Sequence, residues 1–284
     1  MKREELEFVR EAAIFFETPS TFTRALSGLG NGIEGAFAKL PETVRSSVMK
    51  ASRRAIESCL RVAVKTIAPS ENRAVDLAEV AEGNRTMRNA HTLAAGITGG
   101  LGGILGPVSL ALEVPISTAL IMRSIASSAN DYGFSLQDPE VLLECLFVFA
   151  IGGPSKKDDG MESSYLASRL ALSSLMRNAA ATMMELPAKQ FLTALERETA
   201  PAVVRVVSAI SESFGLRVSE KFVAQLAPVI GAVGGASINV AFANFFGTAA
   251  KYHFGIKRLE VVYGSEIVQA AYQDEAKNTA KNGA

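Results

Sequence analysis

The side chains best placed to do chemistry are few. Glu113 is the only ionised residue between His91 and Arg123, and it closes an uncharged run over residues 93–112. A carboxylate at the end of so long an apolar stretch has to be paired, hydrogen-bonded or neutralised, because an isolated buried charge is prohibitively costly. Arg123 lies too far along the chain for the i,i+4 spacing at which helical neighbours meet. Its partner must then come from tertiary packing, with Glu144 and Glu185 as candidates. Glu113, Arg123, Glu144 and Glu185 are therefore expected to form a buried polar network that fixes helix register, or else to face a ligand. A hydrolytic carboxylate pair of Glu113 and Glu185 is the enzymatic alternative.

Other chemistries find little support. There is no GxSxG, HExxH or CxxC motif. His91 and His253 have no Cys, Asp or Glu at ligand spacing and are expected to be helix-end or packing residues. Cys59 and Cys145 fall on apolar faces and are expected to be small buried hydrophobes. No metal and no cofactor is expected. Gly30, Gly32 and Gly35 spell GxGxxG, but the preceding FTRALSGL has helical rather than strand character. Pyrophosphate binding by that fingerprint requires a strand feeding the turn, so an interhelical linker is expected instead.

Apolar residues recur at three and four positions almost throughout, which predicts an all-α fold. Leu6, Val9, Ala13 and Phe16 give the first helix its core stripe. A long helix is expected from Pro41 to about residue 68, and two more over about 85–105 and from Pro107 to Tyr132. Asp138-Pro139-Glu140 is a strong helix start, with Asp as N-cap, Pro in the first turn and a carboxylate at the positive end. Further helices are expected over 162–186, 187–200, 201–214, 219–230, 235–253 and 256–276. This divides the chain into an N-terminal helical extension (1–40), a compact multi-helix domain (41–276) with a surface loop near 154–160, and a frayed tail (277–284).

A second uncharged run covers residues 222–250. Gly99 and Gly103 lie four apart, as do Gly102 and Gly106, and Gly231 and Gly235. Small residues at that spacing let helix backbones approach closely. Each glycine costs a helix about 1 kcal/mol relative to alanine, so tight packing must offset them. Two glycine-rich apolar helices are thus expected to meet at the centre of the domain. Pro107, Pro115, Pro228, Asn239 and Asn244 argue against membrane spans, although residues 93–112 have the length of one.

The 29 Lys and Arg balance the 29 Asp and Glu, and hydrophobic residues make up 48%. Those values, with two cysteines, exclude a disulfide scaffold, a strongly basic nucleic-acid binder and a disordered polyelectrolyte. The charge is nonetheless patterned. Lys50, Arg53, Arg54, Arg61 and Lys65 form one stripe of the long helix, with Val48, Ala51, Ala55, Cys59 and Val62 opposite. Such a stripe is a solvated face or a contact for an anionic membrane surface or acidic partner. Nucleic acid is not expected, because the stripe lacks aromatic stacking residues. The opening MKREELEFVREAA has no apolar signal core, which predicts a cytoplasmic protein, with peripheral membrane association left open.

The stretch from Gly99 to Gly153 and the later LAPVIGAVGGASINVAFANFF resemble the EcsC family of bacterial proteins. Glu113, Pro115, Thr118, Arg123, Ile125, Gly133, Glu144, Cys145, Leu146 and Gly152 carry the resemblance, which extends from about residue 40 onward. The family is named for a gene associated with a bacterial ABC transporter that affects secretion, which implies a cytoplasmic or peripherally membrane-associated protein. No ATP-binding motif is present, so the resemblance does not extend to the transporter's ATPase. The combined expectation is a non-enzymatic helical protein that contacts an anionic membrane surface, a membrane protein complex or an apolar, lipid-like ligand. A hydrolase or lipid-modifying enzyme using Glu113, and a protein-docking scaffold, are the alternatives.

Overall fold

The computed structural model describes residues 1–18, 41–66, 110–151, 164–226 and 231–282. Among these residues all regular structure is helical. Helix α1 (Arg3–Glu17) buries Phe8, Val9, Ala12 and Ala13, two adjacent pairs one turn apart. Helix α2 (Glu42–Thr66) buries Val48, Ala51, Ala55, Ile56, Cys59 and Leu60. Helix α3 (Leu110–Asp131) is followed by Gly133 at φ 82°, where the amide of Phe134 reaches back to the Ala129 carbonyl at 3.0 Å. That is the left-handed C-terminal turn for which glycine is suited.

Helix α4 (Pro139–Phe147) starts as its sequence dictates, with the Asp138 carboxylate accepting from the Glu140 amide at 2.8 Å and Pro139 in the first turn. It continues as a 3₁₀ turn over Val148–Ala150. Apart from Glu140 and Glu144, the α4 residues beyond its first are buried on every side, which identifies α4 as a central element. Phe149 from the 3₁₀ turn sits in an aromatic cluster with Phe214 and Phe246, ring centroids 4.9 and 5.3 Å away. These rings come from α7 (Pro201–Leu226) and α8 (Gly231–Tyr263). Helices α5 (Ser164–Glu185), α6 (Ala188–Glu196) and α9 (Ser265–Asn282) complete the described elements. α2 packs between α3 and α7, α5 lies across α4 and α7, and α1 lies on α8 and α9.

Several boundaries differ from expectation, and two have a common cause. α7 runs unbroken through Gly215, and α8 runs unbroken through Gly255. Both glycines are close-approach sites rather than breaks. A Cβ on Gly215 would overlap the Met49 thioether on α2, and one on Gly255 would overlap the Phe8 ring on α1. The chain turns instead at Gly264, φ 89°, between α8 and α9. The first helix is not an extension: Phe8 and Phe15 pack against Tyr252 with centroids 5.4 Å apart, and Phe16 stacks on Tyr165 at 4.3 Å. Nor is the tail frayed from residue 277. α9 reaches Asn282, supported by buried Val268, Tyr272 and Ala276.

Of the glycines expected to join two apolar helices, Gly99, Gly103 and Gly106 lie outside the described residues, as do the GxGxxG segment and the 154–160 loop. Gly231 and Gly235 occupy the first turns of α8, and α3 packs along that helix. Among the described residues no helix is long and apolar enough to cross a membrane.

Candidate functional site

The four carboxylate and arginine positions singled out from the sequence separate in space. Arg123 is exposed on α3 and Glu185 is exposed at the end of α5, so neither enters a buried network. Glu113 lies in the first turn of α3, and its side chain is outside the described residues. The neighbouring Thr118 is fully buried but gives its hydroxyl to the Val114 carbonyl at 2.6 Å, a helix-internal bond. Of the three whose side chains are described, Glu144 alone is at the heart of a polar cluster, and its partners come from helices far away in sequence.

Glu144 projects from α4 towards α8. Its Oε1 accepts from Lys257 Nζ at 2.6 Å, and its Oε2 lies 2.9 Å from His253 Nε2. The spacing 253/257 puts both α8 side chains on one helical face. The other imidazole nitrogen, Nδ1, is 2.9 Å from the Tyr165 hydroxyl on α5. One turn along α5, Arg169 makes a two-pronged pair with Glu260, both N–H···O distances 2.8 Å. Its guanidinium carbon lies 5.6 Å from the centroid of the Tyr165 ring. On the far side of Tyr165, Glu17 accepts from the Tyr272 hydroxyl at 2.8 Å. The Tyr165 amide donates to Glu17 at 3.3 Å, and five helices are thereby tied together.

Protonation follows from this geometry. Burial works to raise the Glu144 carboxyl, but the hydrogen bond from His253 and the Lys257 ammonium outweigh it and hold it well below the usual carboxylate range. For His253, burial is the largest influence and, with Arg169 and Lys257 nearby, it lowers the imidazole below its ordinary value despite Glu144. A neutral ring facing an ionised carboxylate carries its hydrogen on Nε2, so Nδ1 accepts from the Tyr165 hydroxyl. The line of donors is Tyr165 to His253 to Glu144.

A pH dependence follows with a definite sign. Below the ordinary imidazole value of 6.5, the unfolded chain takes up a proton that the buried ring does not. The unfolded state then binds more protons, so stability falls as pH falls, by up to about 1.4 kcal/mol per pH unit. Glu144 acts in a lower window: its contribution is complete above its ordinary 4.5 and is lost on further acidification. Urea midpoints at pH 7.5, 6.5 and 5.5 are expected to decline, and the decline is expected to shrink in His253→Gln.

In front of this cluster lies a cleft of about 470 Å³ between α4, α5, α8 and α9. Glu140, Glu144, Arg169, Arg177 and Lys257 line it together with Gln269 and Gln273. Phe147, Leu166, Leu170 and Met176 supply an apolar wall. Leu170 is 73% exposed, a large aliphatic side chain left open to solvent. No group of three or more metal-ligating side chains occurs among the described residues. Cys59 and Cys145 are both buried, as expected, and burial pushes the Cys59 thiol up to about 12.

The model of the EcsC protein family matches residues 13–259. The chain belongs to the EcsC family. No curated protein and no solved structure was found to match it. The EcsC match starts well before residue 40, which agrees with the packing of α1 into the core. It takes in Glu144, Tyr165, Arg169, His253 and Lys257, and ends one residue short of Glu260.

The basic stripe of α2 is partly neutralised. Arg53 pairs with Glu57 at 2.9 Å and with Glu198, and Arg61 pairs with Glu196 at 2.6 Å. Glu196 and Glu198 belong to the end of α6 and the turn that follows it. Lys50 and Arg54 remain exposed, and the Lys65 side chain is outside the described residues. His253 was the group missed from sequence. Its partners stand 88 and 109 positions away, and the 253/257 pairing on one helical face was the only local sign.

Proposed function

We propose that this EcsC-family protein binds a single-chain amphiphile with an acidic head group in the cleft between α4, α5, α8 and α9, and holds it without transforming it. The observation that carries this reading is the division of the lining into an ionic floor and an apolar wall. The floor presents Arg169, Arg177 and Lys257 together with the carboxylates of Glu140 and Glu144. Arg169 is already engaged by Glu260, whereas Lys257 gives one of its three donors to Glu144 and Arg177 is exposed. The head group therefore meets Lys257 and Arg177, and the alkyl chain lies along Leu166, Leu170 and Met176. The volume suits a small-molecule site, for which about 300–1,000 Å³ is usual.

Holding rather than turnover is supported by the state of the potential acid–base groups. His253 is fully buried with both nitrogens occupied. A general base must reach the proton it removes, and this imidazole does not line the cleft. A lipid-like ligand also fits the family's link to membrane transport, without a need for a membrane-crossing helix.

Calorimetric titration with decanoate, decanol and acetate tests the proposal. Decanoate is expected to bind at least tenfold more tightly than acetate, since each buried methylene contributes about 0.8 kcal/mol. Decanol, which lacks the charge, is expected to bind more weakly than decanoate. Arg177→Gln is expected to weaken decanoate about tenfold, the loss of one charge-assisted contact. Equal affinity for decanoate and acetate, or an unaffected Arg177→Gln, would refute the assignment.

A further inference from the structure

The cleft and the buried side chains behind it share two residues. Glu144 and Lys257 both line the cleft, and Glu144 is also the group that His253 contacts through Nε2. Charge placed in the cleft therefore acts on an imidazole that no solvent reaches. We infer that an anionic head group bound in this cleft is accompanied by one proton taken up on His253, so that the ligand is held more tightly as the pH falls. The inference rests on the amphiphile-binding reading and specifies how that site is regulated.

The groups facing the imidazole can be assigned one by one. Tyr165 and Arg169 approach from α5, Glu144 from α4 and Lys257 from α8 itself. Phe147 and Phe254 flank the ring at centroid distances of 5.2 and 5.1 Å. Behind Tyr165 stand Tyr272 of α9 and Glu17 of α1, bonded to each other, and Glu260 is held by Arg169. Without an anion in the cleft the two cations, Arg169 and Lys257, oppose a third positive charge on the ring, and Glu144 favours it. An anion seated at Lys257 and Arg177 offsets the cationic field and places a second negative charge beside Glu144. Both changes favour the imidazolium. Neutral His253 is what a vacant cleft selects, and charged His253 is what an occupied one selects.

The proton has a defined place to go. Nε2 already carries hydrogen towards Glu144, so the added proton binds Nδ1. Tyr165 then changes role: its hydroxyl oxygen accepts from Nδ1–H, and its own hydrogen rotates away. The 2.9 Å separation fits either direction. No bond between heavy atoms forms or breaks, and the proton returns to solvent when the ligand leaves.

The test uses octanesulfonate, whose head group keeps its charge throughout the range examined. Titration at pH 5.5–7.5, in pairs of buffers with different ionisation enthalpies, reads the protons taken up for each ligand bound. Uptake is expected to approach one proton, with affinity rising up to tenfold per pH unit as pH falls. In Tyr165→Phe, which keeps the ring, affinity at pH 7.5 is expected to stay within about twofold, while the rise at low pH falls to less than a third of its wild-type size. Uptake that persists in His253→Gln, or is unchanged in Tyr165→Phe, overturns the inference. Binding with no proton uptake also overturns it but leaves the amphiphile reading intact. Absence of binding at every pH overturns both.

Discussion

Glu144→Ala is expected to lower stability by about 3 kcal/mol, the low end of what breaking a buried ion pair costs. The loss comes from the groups left behind. Lys257 retains some access to the cleft, with 23% of its side chain exposed, but His253 has none. Its Nε2–H loses the acceptor it has among the described residues. For a chain of this size, each kcal/mol corresponds to roughly 2–4 °C in Tm, so a fall of about 6–12 °C is expected in a thermal scan at pH 7. Glu144→Gln, which keeps a carbonyl for His253 but not the charge for Lys257, is expected to lose about half as much. Glu185→Ala is the control. That carboxylate is exposed, and its loss is expected to stay within about 0.5 kcal/mol. A control as damaging as Glu144→Ala would contradict the placement of the network.

The second large effect concerns Gly255. In the middle of a long helix, glycine to alanine normally stabilises by about 1 kcal/mol. Here the added methyl would enter the Phe8 ring, which is 7% exposed and lies 5.4 Å from Tyr252 and 5.5 Å from the Lys251 ammonium. The ring cannot withdraw without unpacking α1, so Gly255→Ala is expected to destabilise by about 1–3 kcal/mol, as overpacked cores do. The sign is expected to reverse in a Phe8→Ala background, where the space is open and the helical preference of alanine is felt. Urea unfolding of the two single variants and the double variant measures this coupling, which should reach at least about 1 kcal/mol.

These two cases mark where the sequence was legible. Asp138-Pro139-Glu140 could be recognised as a helix start because everything that makes it one lies within three residues, and the structure places each in its expected role. The left-handed turn at Gly133 is just as local, closed by the Phe134 amide on the Ala129 carbonyl. Gly215 and Gly255 look identical to glycines that break helices, because what distinguishes them is an α2 thioether and an α1 ring brought up by tertiary packing. The candidate site divides along the same line. Glu144 was named from the sequence only as a possible partner of Arg123. Its partners could not be, since His253 and Lys257 are more than 100 positions away. Arg123 is exposed rather than part of the buried network, and its position in the chain gave no indication of which face of α3 points to solvent. The basic stripe of α2 was visible as a pattern, but Glu196 and Glu198, which engage Arg61 and Arg53, could not be foreseen as its partners.

The placement of α1 has a consequence for synthesis. Its aromatic face is completed by α8 and α9, with Phe8 meeting Tyr252, Phe15 meeting Phe245 and Glu17 meeting Tyr272. A ribosome adding about 5–20 residues per second takes on the order of tens of seconds to supply those helices. Through that interval α1 carries rings that α8 and α9 do not yet cover, which makes it a natural client for a chaperone that holds nascent chains.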